Sequence, residues 1–337
     1  MDWFERLTGF REAGYDDTRT KLETRGSQLQ SLVNGQSYGI GDLELASLHT
    51  LRERVNAFGR LPGRLKVSSV IGNVRHLHQL PENAHALFQV ASQFNLLEMV
   101  SPTVTPEDGV ARYENDPTQG PACAIAAGAA TIYRNYFAPT DGRLGQTREC
   151  QLNGLADLGE HIGGALGQPV EMLWSMQNGY ALCTREGLAA IAEYIESLTE
   201  DESDALGGKL RIGVHRDVEV TDVQGPHRSS VSQAFCSALP VAYSRVPAVH
   251  WASFASLILK AAYEATMWAA VANAQRGSSN VVFLTRLGGG AFGNDDAWIH
   301  AAMRQALEMV EMFELDVRLV SYGSPSPAIL KMVQDFG

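Results

Sequence analysis

The residues best suited to chemistry in this chain stand together at 281–294, VVFLTRLGGGAFGN. Gly288, Gly289 and Gly290 are followed by Ala291, Phe292, Gly293 and Asn294. Backbone without Cβ atoms can bring its amide N–H groups close to an anion, and a helix that starts just beyond adds the partial positive charge of its N-terminus. The combination reads as a phosphate cradle. It is not a Rossmann fingerprint, because it follows a late strand and lacks both the spacing and the acidic ribose partner. A second polar group, Ser92-Gln93-Phe94-Asn95, ends the apolar run ALFQVA at 86–91, and open α/β sheets hold their ligands at that edge of a strand. Other constellations carry less. Ser237 lies outside any Gly-x-Ser-x-Gly elbow, so it gives no sign of a serine hydrolase. His76 and His78, two apart, share one face of a strand without a third ligand, and no metal site is expected. The run TEDESDA at 199–205 reads as a solvated acidic loop.

The surrounding elements follow from apolar spacing. Val281–Leu284 has the composition of a strand buried on both faces. Asp295 or Asp296 can cap a helix whose Trp298, Ile299, Met303, Leu307 and Val310 recur at helical spacing. Strands are expected over 65–71, 86–91, 170–174, 210–214, 233–243 and 317–321, and helices over 186–198 and 254–274. Small residues at 122–130 suit a helix packed closely on a sheet, and 138–165 reads as loop and then helix. Alternation of this kind predicts a three-layer α/β fold. Residues 1–60 read as an N-terminal helical and hairpin extension that docks on the rest. It has Phe4, Leu7 and Phe10 on one helix face, a type I′ turn at Asn34-Gly35 and a helix over 48–58. Leu61-Pro62-Gly63 marks the boundary, so the main domain is placed at 61–337.

A net charge of −11 opposes general nucleic-acid binding, which depends on a basic face for phosphate contacts. It leaves room for a small anion held by backbone dipoles. No apolar run spans a bilayer, and the start MDWFERLTGFRE lacks the basic and apolar regions of a secretory signal. The four cysteines, Cys123, Cys150, Cys183 and Cys236, are scattered, which suits free thiols in a reducing, cytoplasmic setting. The sequence sets no oligomeric state.

In this order the features resemble the macrodomain superfamily, the ADP-ribose-binding fold that includes poly(ADP-ribose) glycohydrolases. Gly72-Asn73-Val74 looks like the family's Gly-Asp-Ile strand end. Val90-Ala91-Ser92-Gln93-Phe94-Asn95 looks like its Val-Asn-Ala-Ala-Asn segment. Gly109-Val110 through Gln119-Gly120 is similar in placement to the first loop and helix entry, and GGGAFGN to the second phosphate loop. The resemblance spans residues 65–323, with 138–245 as an insertion beyond a minimal macrodomain.

The resemblance implies a three-layer α/β/α fold around a mixed sheet, and binding of ADP-ribose, a related NAD-derived nucleotide or an ADP-ribosylated substrate, with no further cofactor. Amides of Gly288–Asn294 and of Gly109-Val110 would hold the diphosphate. Asn73, in place of the family's aspartate, still offers adenine an acceptor oxygen. Val74 and Gln93 would line the site, Asn95 would hold a ribose hydroxyl, and Phe292, Tyr113 or Tyr322 would stack on a ring. The Gln-Glu-Glu signature of typical poly(ADP-ribose) glycohydrolases is absent. Hydrolysis of an ADP-ribosyl bond would therefore fall to other residues, Asp116 and Gln119 first, Glu98 and Glu114 next. Arg134-Asn135-Tyr136 would hold the loop or a phosphate. A catalytically silent reader and a scaffold without ligand are the alternatives.

Overall fold

The computed structural model describes residues 1–59, 62–223, 225 and 228–337. Seven strands form its central sheet: β1 Asp42–Ser47, β2 Lys66–Ile71, β3 Leu87–Ala91, β4 Arg211–Glu219, β5 Ser230–Cys236, β6 Val281–Leu284 and β7 Asp316–Ser321. Their spatial order is β1-β4-β5-β3-β6-β7-β2. From β5 to β2 all neighbours run parallel, while β4 is antiparallel to both β5 and β1. The sheet is therefore mixed, and its parallel part carries helices on both faces, as parallel sheets require.

The apolar residues of the inner strands alternate between two cores. Leu87, Ala234, Val282 and Leu284 join one cluster; Phe88, Val90, Phe235 and Phe283 join the other. That period of two is the strand pleat. On the first face lies the long helix Ala252–Gln275, itself covered by the helices Leu48–Phe58, Arg185–Ser197 and Asp296–Met309. Sandwiched between sheet and helices, it is apolar nearly all round, with Phe254, Leu259, Tyr263, Thr266, Met267 and Val271 buried. The second face carries Val74–Gln79, Gln119–Ala126 and Gly128–Tyr136. Three layers result, as the sequence pattern predicts.

Several elements differ from expectation, each for a local reason. Residues 1–60 are more than a docked extension: β1 pairs along β4 from Ser47↔Arg211 to Asp42↔Arg216, and Leu48–Phe58 packs on the long helix. Arg60 and Leu61, where the boundary was placed, lie outside the described residues. The loop of Asn34-Gly35 spans four residues between Ser31 and Gln36, and only Gly35 is left-handed (φ 72°). A two-residue turn with both residues left-handed occurs instead at Asn178-Gly179 (φ 46° and 80°), joining strands Trp174–Gln177 and Tyr180–Cys183. Before it, Val170–Met172 is a single 3₁₀ turn rather than a strand.

The acidic run is a helix, Glu200–Gly207, started by a capping box in which Thr199 and Glu202 satisfy each other's amides. His76 and His78 sit on a helix; His78 is buried against Val74 O (2.7 Å) and stacked on Phe88. The strand expected over 233–243 starts at Ser230 and ends at Cys236, before Pro240. The small-residue helix breaks at Ala127 into two. A final helix, Pro327–Phe336, was not foreseen; Ser326 caps it with Pro327 at its first position. No helix of the described residues is long and apolar enough to cross a membrane. Nor do the described residues hold three His, Cys, Asp or Glu placed for a metal.

Candidate ligand cleft

The parallel strands β3, β6, β7 and β2 end along one edge, and the chain leaving them bounds a cleft of about 800 Å³. Its floor is made by Ala91-Ser92-Gln93 after β3 and by Leu284-Thr285 at the end of β6. The glycine-rich turn forms one wall and Asn115–Ala122 another; Gly72-Asn73-Val74 and Tyr322–Ser324 lie toward the β2 side.

The glycine turn is built to present its backbone. Gly288 is left-handed (φ 74°), and a Cβ there would collide with Ala238 and the side chain of Asn294. Asn294 clasps the turn shut: its Nδ2 donates to Leu239 O at 2.8 Å and Gly288 O at 3.3 Å, and its own N–H reaches Gly288 O. With the turn closed this way, the amides of Gly288, Gly290, Ala291 and Phe292 donate to no acceptor among the described residues. Asp295 then caps the helix Asp296–Met309 through Ala297 N–H at 2.7 Å. Four unpaired amides in one turn are donors that an anion could engage.

Across the cleft stands the start of helix Gln119–Ala126. Thr118, at its N-cap, makes no side-chain cap, so the N–H groups of Gln119 and Gly120 also lack an acceptor among the described residues. A Cβ on Gly120 would strike Ala91 O and come within 3.1 Å of Glu98 Cγ, so only glycine lets the helix approach β3 here. Gln119 pins the same helix end. Its Oε1 accepts from Ala91 N–H and its Nε2 donates to Gln89 O, both at 2.8 Å. With both ends of its amide committed, Gln119 is a strap to β3. Asp116 lines the cleft, but its Oδ1 accepts from Thr118 N–H (2.9 Å) and Thr118 Oγ (2.6 Å), closing its own turn.

Glu98 is the carboxyl with the most unusual surroundings. It is buried, lines the cleft, and leaves Oε2 without a hydrogen-bond partner. Arg134 Nη2 lies 3.3 Å from Oε1, and the Tyr113 hydroxyl accepts the Glu98 N–H at 3.0 Å. Burial outweighs the Arg134 charge and lifts the Glu98 pKa to about 7. The guanidinium does not depend on Glu98 alone: it donates to Leu96 O and Thr131 Oγ and lies 3.9 Å above the Phe235 ring. When Glu98 takes up a proton, these neutral acceptors and the ring keep the guanidinium partly satisfied, though Glu98 is its only ion-pair partner among the described residues and its Nη1 has no acceptor among them.

Of the residues singled out from sequence, Asn73, Val74, Gln93, Glu98, Asp116, Gln119, Gly288, Gly290, Ala291, Phe292 and Tyr322 line the cleft. Asn73 also caps Val74–Gln79, its Oδ1 accepting from Arg75 N–H at 2.9 Å. Gln93 turns inward to Met99 N–H and the Tyr180 hydroxyl. Tyr322 is 83% exposed, open to stacking.

Others lie off the cleft lining. The amides of Val110 and Ala111 are taken by Glu12 (2.9 and 2.6 Å), whose carboxylate fills the space beside Gly109 and accepts from the Tyr136 hydroxyl as well. Of the two amides assigned to the diphosphate, Val110 N–H is thus occupied by an internal carboxylate and Gly109 N–H donates to Pro106 O, and Gln119-Gly120 takes their place as the facing wall. Glu114 is drawn away by Trp3 N–H, Arg6 and Arg75. Asn95 is fully buried, accepting from Leu97 N–H and donating to Gln151. Tyr113 is buried too. Gly289 sits under the Arg286 side chain, while Gly293 and Asn294 shape the turn from behind. Arg134 holds Glu98 and the loop, with no phosphate role at its depth.

Tyr180, Tyr243, Arg286 and the serines after β7 also line the cleft and were not singled out. Tyr180, Tyr243 and Phe292 pack with ring centroids 5.2–5.7 Å apart, and the Tyr180 hydroxyl donates to Met99 O. The Asn-Gly turn before Tyr180 and the Ser-Pro before the last helix were the local signals available.

No family model matches the chain, and no curated protein matches it. Among solved structures it is similar to the poly(ADP-ribose) glycohydrolase of Deinococcus radiodurans in complex with ADP-ribose. The identity there is 13%, the TM-score 0.43, and the coverage 87% of this chain and 92% of that one. It is also similar to the enzyme from Thermomonospora curvata, at 11% identity, a TM-score of 0.42 and 92% coverage of both chains. With the inhibitor ADP-HPD bound, the latter gives 11%, a TM-score of 0.40 and coverage of 92% and 94%. These two enzymes are bacterial poly(ADP-ribose) glycohydrolases, at an identity too low for any residue's role to pass from them to this chain.

Proposed function

We propose that the cleft binds ADP-ribose or a related NAD-derived nucleotide, and that Glu98 gives it the capacity to hydrolyse an ADP-ribosyl bond. One observation carries the reading: the free amides of Gly288, Gly290, Ala291 and Phe292 and the uncapped helix start at Gln119-Gly120 border the same cleft. Unpaired N–H groups bordering one space suit an elongated anion such as a diphosphate. The volume of about 800 Å³ suits a dinucleotide-sized ligand. On the β2 side, Val74 and exposed Tyr322 offer an apolar and aromatic seat for adenine. Beyond the glycine turn, Gln93 and Glu98 border the place for the distal ribose.

Hydrolysis there would transfer the Glu98 proton to the leaving atom as its bond to the anomeric carbon breaks; water then bonds to that carbon and gives its proton to the Glu98 carboxylate, which restores the acid. A second reading is favoured by one feature. Glycoside cleavage commonly uses two carboxyl groups, and Asp116, the other one in the cleft, is turned into its own hydrogen bonds. A site with one available carboxyl also suits a reader that binds without turnover.

Calorimetry with ADP-ribose tests the binding, and Gly290→Val ties it to the turn. A Cβ on Gly290 meets nothing within 4 Å, so its stability should stay within about 0.5 kcal/mol of the parent by denaturant melt. The added side chain stands among the free amides, and affinity for ADP-ribose should fall by about tenfold or more. Unchanged affinity would remove the glycine turn from the site. Release of ADP-ribose from a modified protein separates hydrolase from reader.

A further inference from the structure

The cleft lining contains one cationic side chain among the described residues, Arg286, beside two carboxyl groups, Glu98 and Asp116. In a chain of net charge −11, that guanidinium is, among the described residues, the only full positive charge in the lining for a diphosphate to meet. It is not aimed into open space. The side chain folds back over Gly289, to whose carbonyl Nη2 donates, and a Cβ on Gly289 would collide with Nε. Nη1 lies 3.3 Å from Oδ1 of Asp296, in the first turn of the following helix. Both partners are about half exposed (51% and 57%), so water competes for each and the ion pair is weakly held. A guanidinium on a phosphate group makes parallel, charge-assisted hydrogen bonds, stronger than an exposed pair with one carboxylate oxygen.

We infer that Arg286 is a diphosphate clamp held in reserve by Asp296: an anion on the free amides draws the guanidinium off the carboxylate and onto its oxygens. The inference rests on the proposed nucleotide reading and names what selects the ligand class. Backbone amides hold any small anion, whereas the clamp favours ligands with two adjoining phosphates over monophosphates and uncharged nucleosides. Asp296 sets how easily it is released. Arg286 stands two residues before the glycines and Asp296 eight residues after Gly288, so one turn supplies cradle, clamp and latch.

The test is calorimetry with ADP-ribose, AMP, adenosine and inorganic pyrophosphate at low and moderate salt. It compares the parent protein with Arg286→Met and Asp296→Asn. Arg286→Met should weaken ADP-ribose and pyrophosphate by about tenfold, flatten their salt dependence and leave adenosine unchanged. Asp296→Asn should strengthen both by a few-fold. Equal affinities and salt slopes for the parent and Arg286→Met overturn the clamp, as does an equal loss for adenosine. Should the parent bind pyrophosphate through Arg286 but not ADP-ribose, the clamp stands and the nucleotide reading falls. Binding of neither ligand overturns both.

Discussion

Glu98→Gln is expected to slow release of ADP-ribose from a modified protein by roughly 10²–10⁴-fold, the usual range for removing a general acid. Binding of ADP-ribose should be nearly unchanged. Glutamine keeps the shape of the buried side chain and still accepts from Arg134 at Oε1, 3.3 Å away in the parent. Only the transferable proton is lost. The pH profile of the parent gives an independent readout. A general acid works protonated, and burial places the Glu98 pKa at about 7, so kcat should decline as pH rises through that value.

Stability should follow the same sign. The folded pKa lies above the ordinary glutamate value, so the folded state binds more protons between about pH 4.5 and 7. The contribution of Glu98 is fully present below that window and is lost as pH rises through it. Turnover of Glu98→Gln at the parent rate would assign the chemistry elsewhere. A parent protein that binds ADP-ribose but never releases it from a modified protein would be a reader.

Arg134→Met should destabilise the fold by about 3–5 kcal/mol, the cost of breaking a buried ion pair by removing one partner. Arg134 is fully buried, and its loss leaves Leu96 O and Thr131 Oγ without their donor beside the Glu98 carboxyl. Among the groups around Glu98, Arg134 and the Tyr113 hydroxyl lower its pKa, while burial raises it. Removing the guanidinium should therefore push Glu98 further toward its neutral form. The loss measured by denaturant melts should be smaller at pH 5 than at pH 8, because protonation removes the buried charge. A second change, Glu98→Leu, should recover part of the loss by deleting the orphaned carboxyl. A single variant within about 1 kcal/mol of the parent at both pH values would show that the pair is not coupled to the core.

How much of this could be read in the sequence depends on the range of the forces involved. The glycine turn, its flanking strand Val281–Leu284 and the Asp295 cap were legible because each rests on neighbours within a few residues. The parallel core was legible through apolar runs such as 86–91. The role of Gly109 was not, because its fate is set by Glu12, ninety-eight residues before Val110. Likewise Asp116 and Glu98 look alike as loop carboxylates. Only the packing of Tyr113, Arg134 and Gly120 around Glu98 separates a buried acid from a residue that closes its own turn. The helix at Glu200–Gly207 was missed for a different reason: its acidic density hid a Thr-x-x-Glu start. Position β1 in the sheet follows from long-range pairing with β4, which its mixed sequence DLELAS does not announce.

The grip of Glu12 on Val110, Ala111 and Tyr136 makes the first forty residues a foundation beneath one bank of the cleft. Trp3, Phe4, Leu7 and Tyr38 share a core with Met99, Tyr113 and Ile132, the stretch that leads to Glu98, Arg134 and the helix at Gln119. Drift in either partner of this joint has to be matched by the other, so the opening segment and residues 97–136 should change in step across related chains, while the glycine turn on the far bank is free to vary on its own schedule.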